Sequence, residues 1–171
     1  NHAIERQDLR RVDSILRQAV VVRKLYDNIV SYLSSLFSSG SMTEEQATQT
    51  AGMMYILSDI ERTDALCTEA TESLQSILEK KHKLSPEAVE DLCRGLQIIE
   101  DMYQNVLEVI RTGNGEDARK IVHKKDNVLD LTLKLRKNHM KRVKQGACDA
   151  EMTSDFTRIL HSFDRIGNSC A

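Results

Sequence analysis

The sequence predicts an all-α fold, with long antiparallel helices joined by short turns. Three observations carry this. The 171 residues include one Pro and seven Gly, so little helix-breaking chemistry interrupts the chain. Apolar residues recur at steps of three, four and seven, which keeps them on one helix face. No segment alternates apolar and polar residues over a useful length, as a half-buried strand would.

The first helix is expected over residues 4–37, with Leu9, Val12, Leu16, Ala19, Tyr26, Ile29, Leu33 and Leu36 on one face. At 1.5 Å per residue it spans roughly 50 Å. Ser38-Ser39-Gly40-Ser41 ends it. Thr43 followed by Gln46 is a capping box, each side chain answering the other's backbone amide. The second helix then runs to about residue 80, with Met53, Leu57, Ile60, Cys67, Ala70, Leu74 and Ile77 inward. Ser85-Pro86-Glu87 starts the third, because Ser caps well and Pro at the first helical position gives up no needed bond. Its inward line is Val89, Leu92, Leu96, Ile99, Tyr103, Val106 and Ile110. Thr112-Gly113-Asn114-Gly115 is a turn. The fourth helix covers residues 116–144, with Ile121, Val122, Val128, Leu131 and Leu135 inward. After a turn at residues 145–149 the last helix begins near Ala150 and continues to Ala171. The lack of a stop signal there suggests that more chain follows.

Composition narrows the function classes. Apolar residues are 40% and charged residues 29% of the chain, which reads as globular. No apolar run approaches the ~20 residues of a membrane span. The four Cys show no CxxC spacing and read as small apolar core residues in a reducing compartment. Histidines are sparse, and HExxH does not occur. GxGxxG, P-loop and GxSxG patterns are absent as well. No turnover chemistry is assigned, and the expectation is a protein that is not an enzyme. His139 falls at an inward position of the fourth helix and reads as a hydrogen-bonded core residue.

Charge is unevenly placed. Residues 44–117 hold sixteen acidic and six basic side chains, and residues 118–144 hold ten basic and two acidic ones. Acidic and basic helices that neutralise each other inside a bundle are the commoner reading. The sharper one is a basic surface facing phosphate, anionic lipid or nucleic acid. The basic helix has no aromatic residue to stack a base, so no nucleic acid partner is expected.

Residues 56–67 and 159–170 resemble each other at an offset of 103, sharing Ile-Leu, an acid followed by Arg, and a Cys. A duplicated helical unit follows. The first unit is residues 1–84, with two helices and no leading helix. The second is residues 85–171, with three. Glu61–Arg62 and Asp164–Arg165 are the repeated acid–Arg steps, and Arg62 and Arg165 read as an ion-pair motif. Asp64 falls on the apolar stripe of the second helix, beside Glu61. Asp164 and Asn168 stand at i, i+4 on the last helix, and Asp126 and Asp130 at i, i+4 on the fourth. Carboxylates from facing helices can converge on a divalent or ferric ion. They can equally be solvated charges, or pair with Arg or Lys nearby.

On these residues the chain resembles the PhoU-like family, whose members show an acid-Arg-x-x-Asp step followed by an apolar helix. Asn138-His139-Met140-Lys141-Arg142-Val143-Lys144-Gln145-Gly146 also resembles the Asn-His-x-x-Arg-Leu-x-x-Gly pattern of PhoU-like domains attached to bacterial sodium/phosphate cotransporters. The resemblance implies a non-catalytic regulator of phosphate uptake, first of all the cytoplasmic domain of such a cotransporter at the inner (plasma) membrane. A free cytoplasmic regulator acting in trans on a transporter or sensor is the alternative. Implied partners are the transmembrane portion of the same chain or that separate transporter, with a homodimer admitted. Family metal clusters use paired acids four apart. Here Glu61 is followed by Ala65, Asp164 by Asn168, and Ala19 and Arg23 stand where acids are expected, so any metal centre is weakened. Two further classes remain: a metal-storing or oxidising bundle, and a scaffold that takes a partner helix into the groove left by the missing first-unit helix. An apolar groove beside the first two helices would favour the scaffold.

Overall fold

The computed structural model describes residues 1–171 as a wholly helical molecule. Its helices are α1 (His2–Glu5), α2 (Leu9–Ser38), α3 (Glu44–Glu79), α4 (Pro86–Thr112), α5 (Gly115–Lys144) and α6 (Thr153–Cys170), with a 3-10 turn at Ala150–Met152 before α6. No helix is long and apolar enough to cross a membrane.

Most starts and stops follow the local chemistry. Thr43 Oγ1 accepts from the Gln46 amide, and the Gln46 side chain accepts from the Thr43 amide. Ser85 caps α4 ahead of Pro86. Gly113 closes α4 at a φ of +68°, a left-handed conformation that costs glycine nothing.

The first helix is not continuous. It breaks at residues 6–8, where Gln7 has a φ of +49° and Asp8 caps a new helix by accepting from the Arg10 amide. The Gln7 side chain is the reason. It donates to the Leu84 carbonyl and accepts from the Leu84 amide, each at 3.1 Å, bracing the α3–α4 loop. Two long-range bonds offset the roughly 1–2 kcal/mol that a left-handed residue costs.

Helix α6 lies at the centre, packed on α3, α4 and α5, while α2 packs along α3. Asp155 fixes the antiparallel α3–α6 pair, accepting from Ser76 Oγ at 2.8 Å and from Lys80 Nζ at 3.1 Å. Further along, Ser162 Oγ donates to Glu69. The segments of the internal repeat therefore lie on directly packed helices. One core runs through residues of α1, α2, α3, α4, α5 and α6, with Phe156, Leu160, Ile77 and Leu92 fully buried. Burying each such side chain contributes about 1.5–3 kcal/mol.

Several positions expected to be inward are not. Ile29, Met53, Cys67, Ile110 and Val122 are exposed. Periodicity gives the direction of an apolar stripe, but not whether a helix covers it. Met53, Cys67 and Ile29 belong to the α2–α3 hairpin, which has α6 on one flank and no helix over its upper face.

Candidate functional site

Helices α2 and α4 do not pack on one another. Between them runs a groove floored by α3 and α6. At one end α1 forms part of its wall, with Ala3 and Ile4 buried beside Leu74 and Phe163. In the middle it is lined by Val22 from α2, Ile60, Asp64 and Cys67 from α3, and Leu96, Glu100 and Tyr103 from α4. The far end lies among Ile56, Leu107, Ile110 and Cys170. The three stretches share residues and form one channel of mostly apolar wall. This is the feature that the partner-helix reading requires.

Two acids line the middle of the groove, Asp64 from α3 and Glu100 from α4. Glu61 points to α2 and pairs with Arg23. Asp64, one turn on, faces the groove half-buried and forms no ion pair within 4 Å. Loss of water holds its carboxyl above the ordinary value; Arg23 pulls the other way and Glu61 adds to the rise. Burial likewise pushes the Tyr103 hydroxyl up, and the Cys170 thiol up to about 11. Each of these groups resists becoming an anion. The groove offers a free phosphate no Lys, Arg or His in its middle or at its far end. It suits an apolar surface that brings a cation to Asp64.

The other residues expected at a site are dispersed. Arg62 is exposed and pairs with Asp59 on its own helix at 2.6 Å. Asp126 and Asp130 are exposed on α5, not turned toward α6. Asp164 is half-buried, and Asn168 donates to the Asp164 carbonyl at 2.9 Å. Arg165 is exposed. The six candidate metal ligands remain three pairs, each on its own helix: Glu61 with Asp64 on α3, Asp126 with Asp130 on α5, and Asp164 with Asn168 on α6. No three His, Cys, Asp or Glu side chains group as metal ligands do, so the residues of one chain do not fit a metal cluster.

The Asn138–Gly146 stretch is a clamp. Arg142 Nη1 donates to Asp91 Oδ2 at 2.7 Å, with both side chains about one-tenth exposed. Asn138 reaches the same oxygen at 3.5 Å. His139 is fully buried, stacked on Phe156 at 4.2 Å between ring centres, with Nε2 at 3.2 Å from Thr153 Oγ1. This matches its reading as a hydrogen-bonded core residue. Gly146 takes a φ of +70°, which lets the Ala147 amide bond back to the Arg142 carbonyl. The stretch ties α5 to both α4 and α6.

Sequence reading missed Arg23 and Asp91 as partners. Arg23 was legible: in a hairpin turning near residue 42, residues 23 and 61 stand equally far from the turn. Asp91 had no such signal, because nothing in the sequence fixes how α4 and α5 rotate about their axes.

Residues 92–171 match the PhoU domain. The match takes in most of α4 and all of α5 and α6, and falls within the second expected unit. No curated protein and no solved structure matches the chain.

Proposed function

We propose that this protein is a non-catalytic regulatory module of phosphate uptake, acting through protein contact and not through chemistry on phosphate. The PhoU domain at residues 92–171 carries this reading. The groove supplies the means. Its apolar length and unpaired Asp64 suit a helix bearing one Lys or Arg amid apolar residues, and its walls disfavour anions. The helix belongs to the machinery that moves phosphate.

Within this reading the first form is the cytoplasmic domain of a sodium/phosphate cotransporter, with the partner helix on the same polypeptide. The second is a separate regulator binding a transporter or sensor in trans. The α2–α3 hairpin is then an incomplete copy of the α4–α6 unit, and the uncovered face of α3 is where a partner enters. A multi-span apolar segment in the same reading frame supports the first form, and its absence there favours the second.

Phosphate uptake in cells lacking the gene tests the function. Loss should deregulate uptake at high external phosphate, and the wild-type gene should restore control. Ile60→Asp, which places a charge on the groove floor at a half-buried site, should fail to restore it at normal protein level. Unchanged uptake in the deletion strain refutes the reading.

A further inference from the structure

We infer that the outward face of α5 is a docking surface for an anionic bilayer. The observation is a second apolar stripe. The inward positions of α5 include Ile121, Val128, Leu135 and His139. Val122, Leu129, Leu133 and Met140 follow one another at steps of seven, four and seven, and are 42–52% exposed. At 3.6 residues per turn they form one line about 120° from the inward stripe. At its first residue, Val122, the line borders Val109 and Ile110 of α4 and Cys170 of α6, while Leu129, Leu133 and Met140 face solvent. The line runs 18 residues, about 27 Å.

The second observation is unneutralised positive charge along that line. Lys125 and Arg136 flank it on one side, and Arg119, Lys137 and Lys144 on the other, where Asp126 is the one acid among them. None of these is in an ion pair. Within residues 118–144 the cations that find acids are Lys120, with Asp117, and Arg142, with Asp91. Asp126 and Asp130 are the only acids on the helix beyond its first turn. The acidic and basic halves of the chain therefore do not cancel inside the bundle.

Together these properties select the partner. A row of apolar side chains needs an apolar phase, and cations beside it need fixed anions at the same height. An anionic membrane offers both in one plane. A nucleic acid offers only the charge, and α5 carries no aromatic side chain to stack a base. The surface adjoins the far end of the groove at Val122, beside Ile110 and Cys170, and runs away from it through Leu129, Leu133 and Met140. The inference does not rest on the function proposed above.

Vesicle flotation of the purified chain tests it. The probes are phosphatidylcholine vesicles, and the same vesicles with about one third phosphatidylglycerol. The chain should float with the anionic vesicles alone, and raising salt from ~0.05 to ~0.5 M should release it. Lys125→Gln/Arg136→Gln/Lys137→Gln should weaken partitioning by about a hundredfold. Leu129→Ser/Leu133→Ser should weaken it about tenfold or more. Both variants change exposed positions and should keep the wild-type helicity and melting temperature; should the double variant unfold, Leu133→Ser alone replaces it. Ile60→Asp in the groove should float as wild type does. Failure to float with anionic vesicles overturns the inference, as does equal flotation with neutral ones. So does binding to an RNA oligomer that the charge variant abolishes and the Leu variant leaves intact, or self-association that buries α5 in place of lipid.

Discussion

Arg142 is the most decisive residue to remove. Arg142→Met deletes the guanidinium, whose carbon lies 5.9 Å from the centre of the Phe156 ring, and keeps most of the aliphatic stem. Asp91 is then left 7% exposed, with the Asn138 amide at 3.5 Å as its only polar neighbour. Breaking a buried pair from one side costs about 3–5 kcal/mol, because the other charge stays buried and unpaired. In a chain of this size about 1 kcal/mol moves the melting temperature by ~2–4 °C, so a drop of roughly 6–20 °C is expected. Removing both partners, Arg142→Met with Asp91→Leu, should recover most of it, since an apolar pair of similar bulk needs no compensation. Thermal and urea unfolding followed by far-UV circular dichroism reads all three variants against wild type. The reasoning is refuted if Arg142→Met costs less than about 1 kcal/mol, or if the double variant is no more stable than the single one.

Three further outcomes follow from the same geometry. Asp64→Asn should stabilise the protein at pH 7, because the charged carboxylate is disfavoured in the fold; the gain should vanish as pH falls through the raised folded value toward the unfolded 3.8, and urea midpoints at pH 7 and near pH 4 check it. Burial, and then the charge of Arg142, hold His139 below its ordinary 6.5, so its contribution is present above that pH and lost as pH falls below it; His139→Gln should flatten the acid side of the stability–pH curve. Gly95→Ala should destabilise, since the new methyl meets the buried Phe163 ring at 2.8 Å, and overpacking of about 1–3 kcal/mol outweighs the helix gain of ~1 kcal/mol. Gly52→Ala, where nothing lies within 4 Å, should show that gain alone, and melting temperatures of the two variants separate the cases.

The fold was readable from the apolar period of the helices, and α3 and α4 announce themselves a second time by their caps. Thr43–Gln46 and Ser85–Pro86 act locally, so they could be read without knowing the rest of the chain. The break at Gln7 could not, because its bonds go to Leu84, far along the sequence. The site was half legible. Asp64 on an apolar stripe beside Glu61 is a local pattern, and the structure places Asp64 in the groove and turns Glu61 to Arg23 on α2. Asp126 and Asp130 also stand at helical spacing, yet they face solvent. Spacing sets which residues share a line on a helix; only packing decides which line is covered. For α5, with two apolar lines, the sequence alone left that choice open, and Val122 fell on the outer one.

Site-specific photocrosslinking from the groove tests the central claim most directly. A photoreactive residue at position 60, in cells given ample phosphate, should form an adduct with a helix of a phosphate transporter, carried either on the same polypeptide or on a separate one. Asp64→Arg should abolish that adduct by repelling the partner's cation. Contact with no transport component from position 60, under conditions where phosphate uptake is under control, contradicts the account.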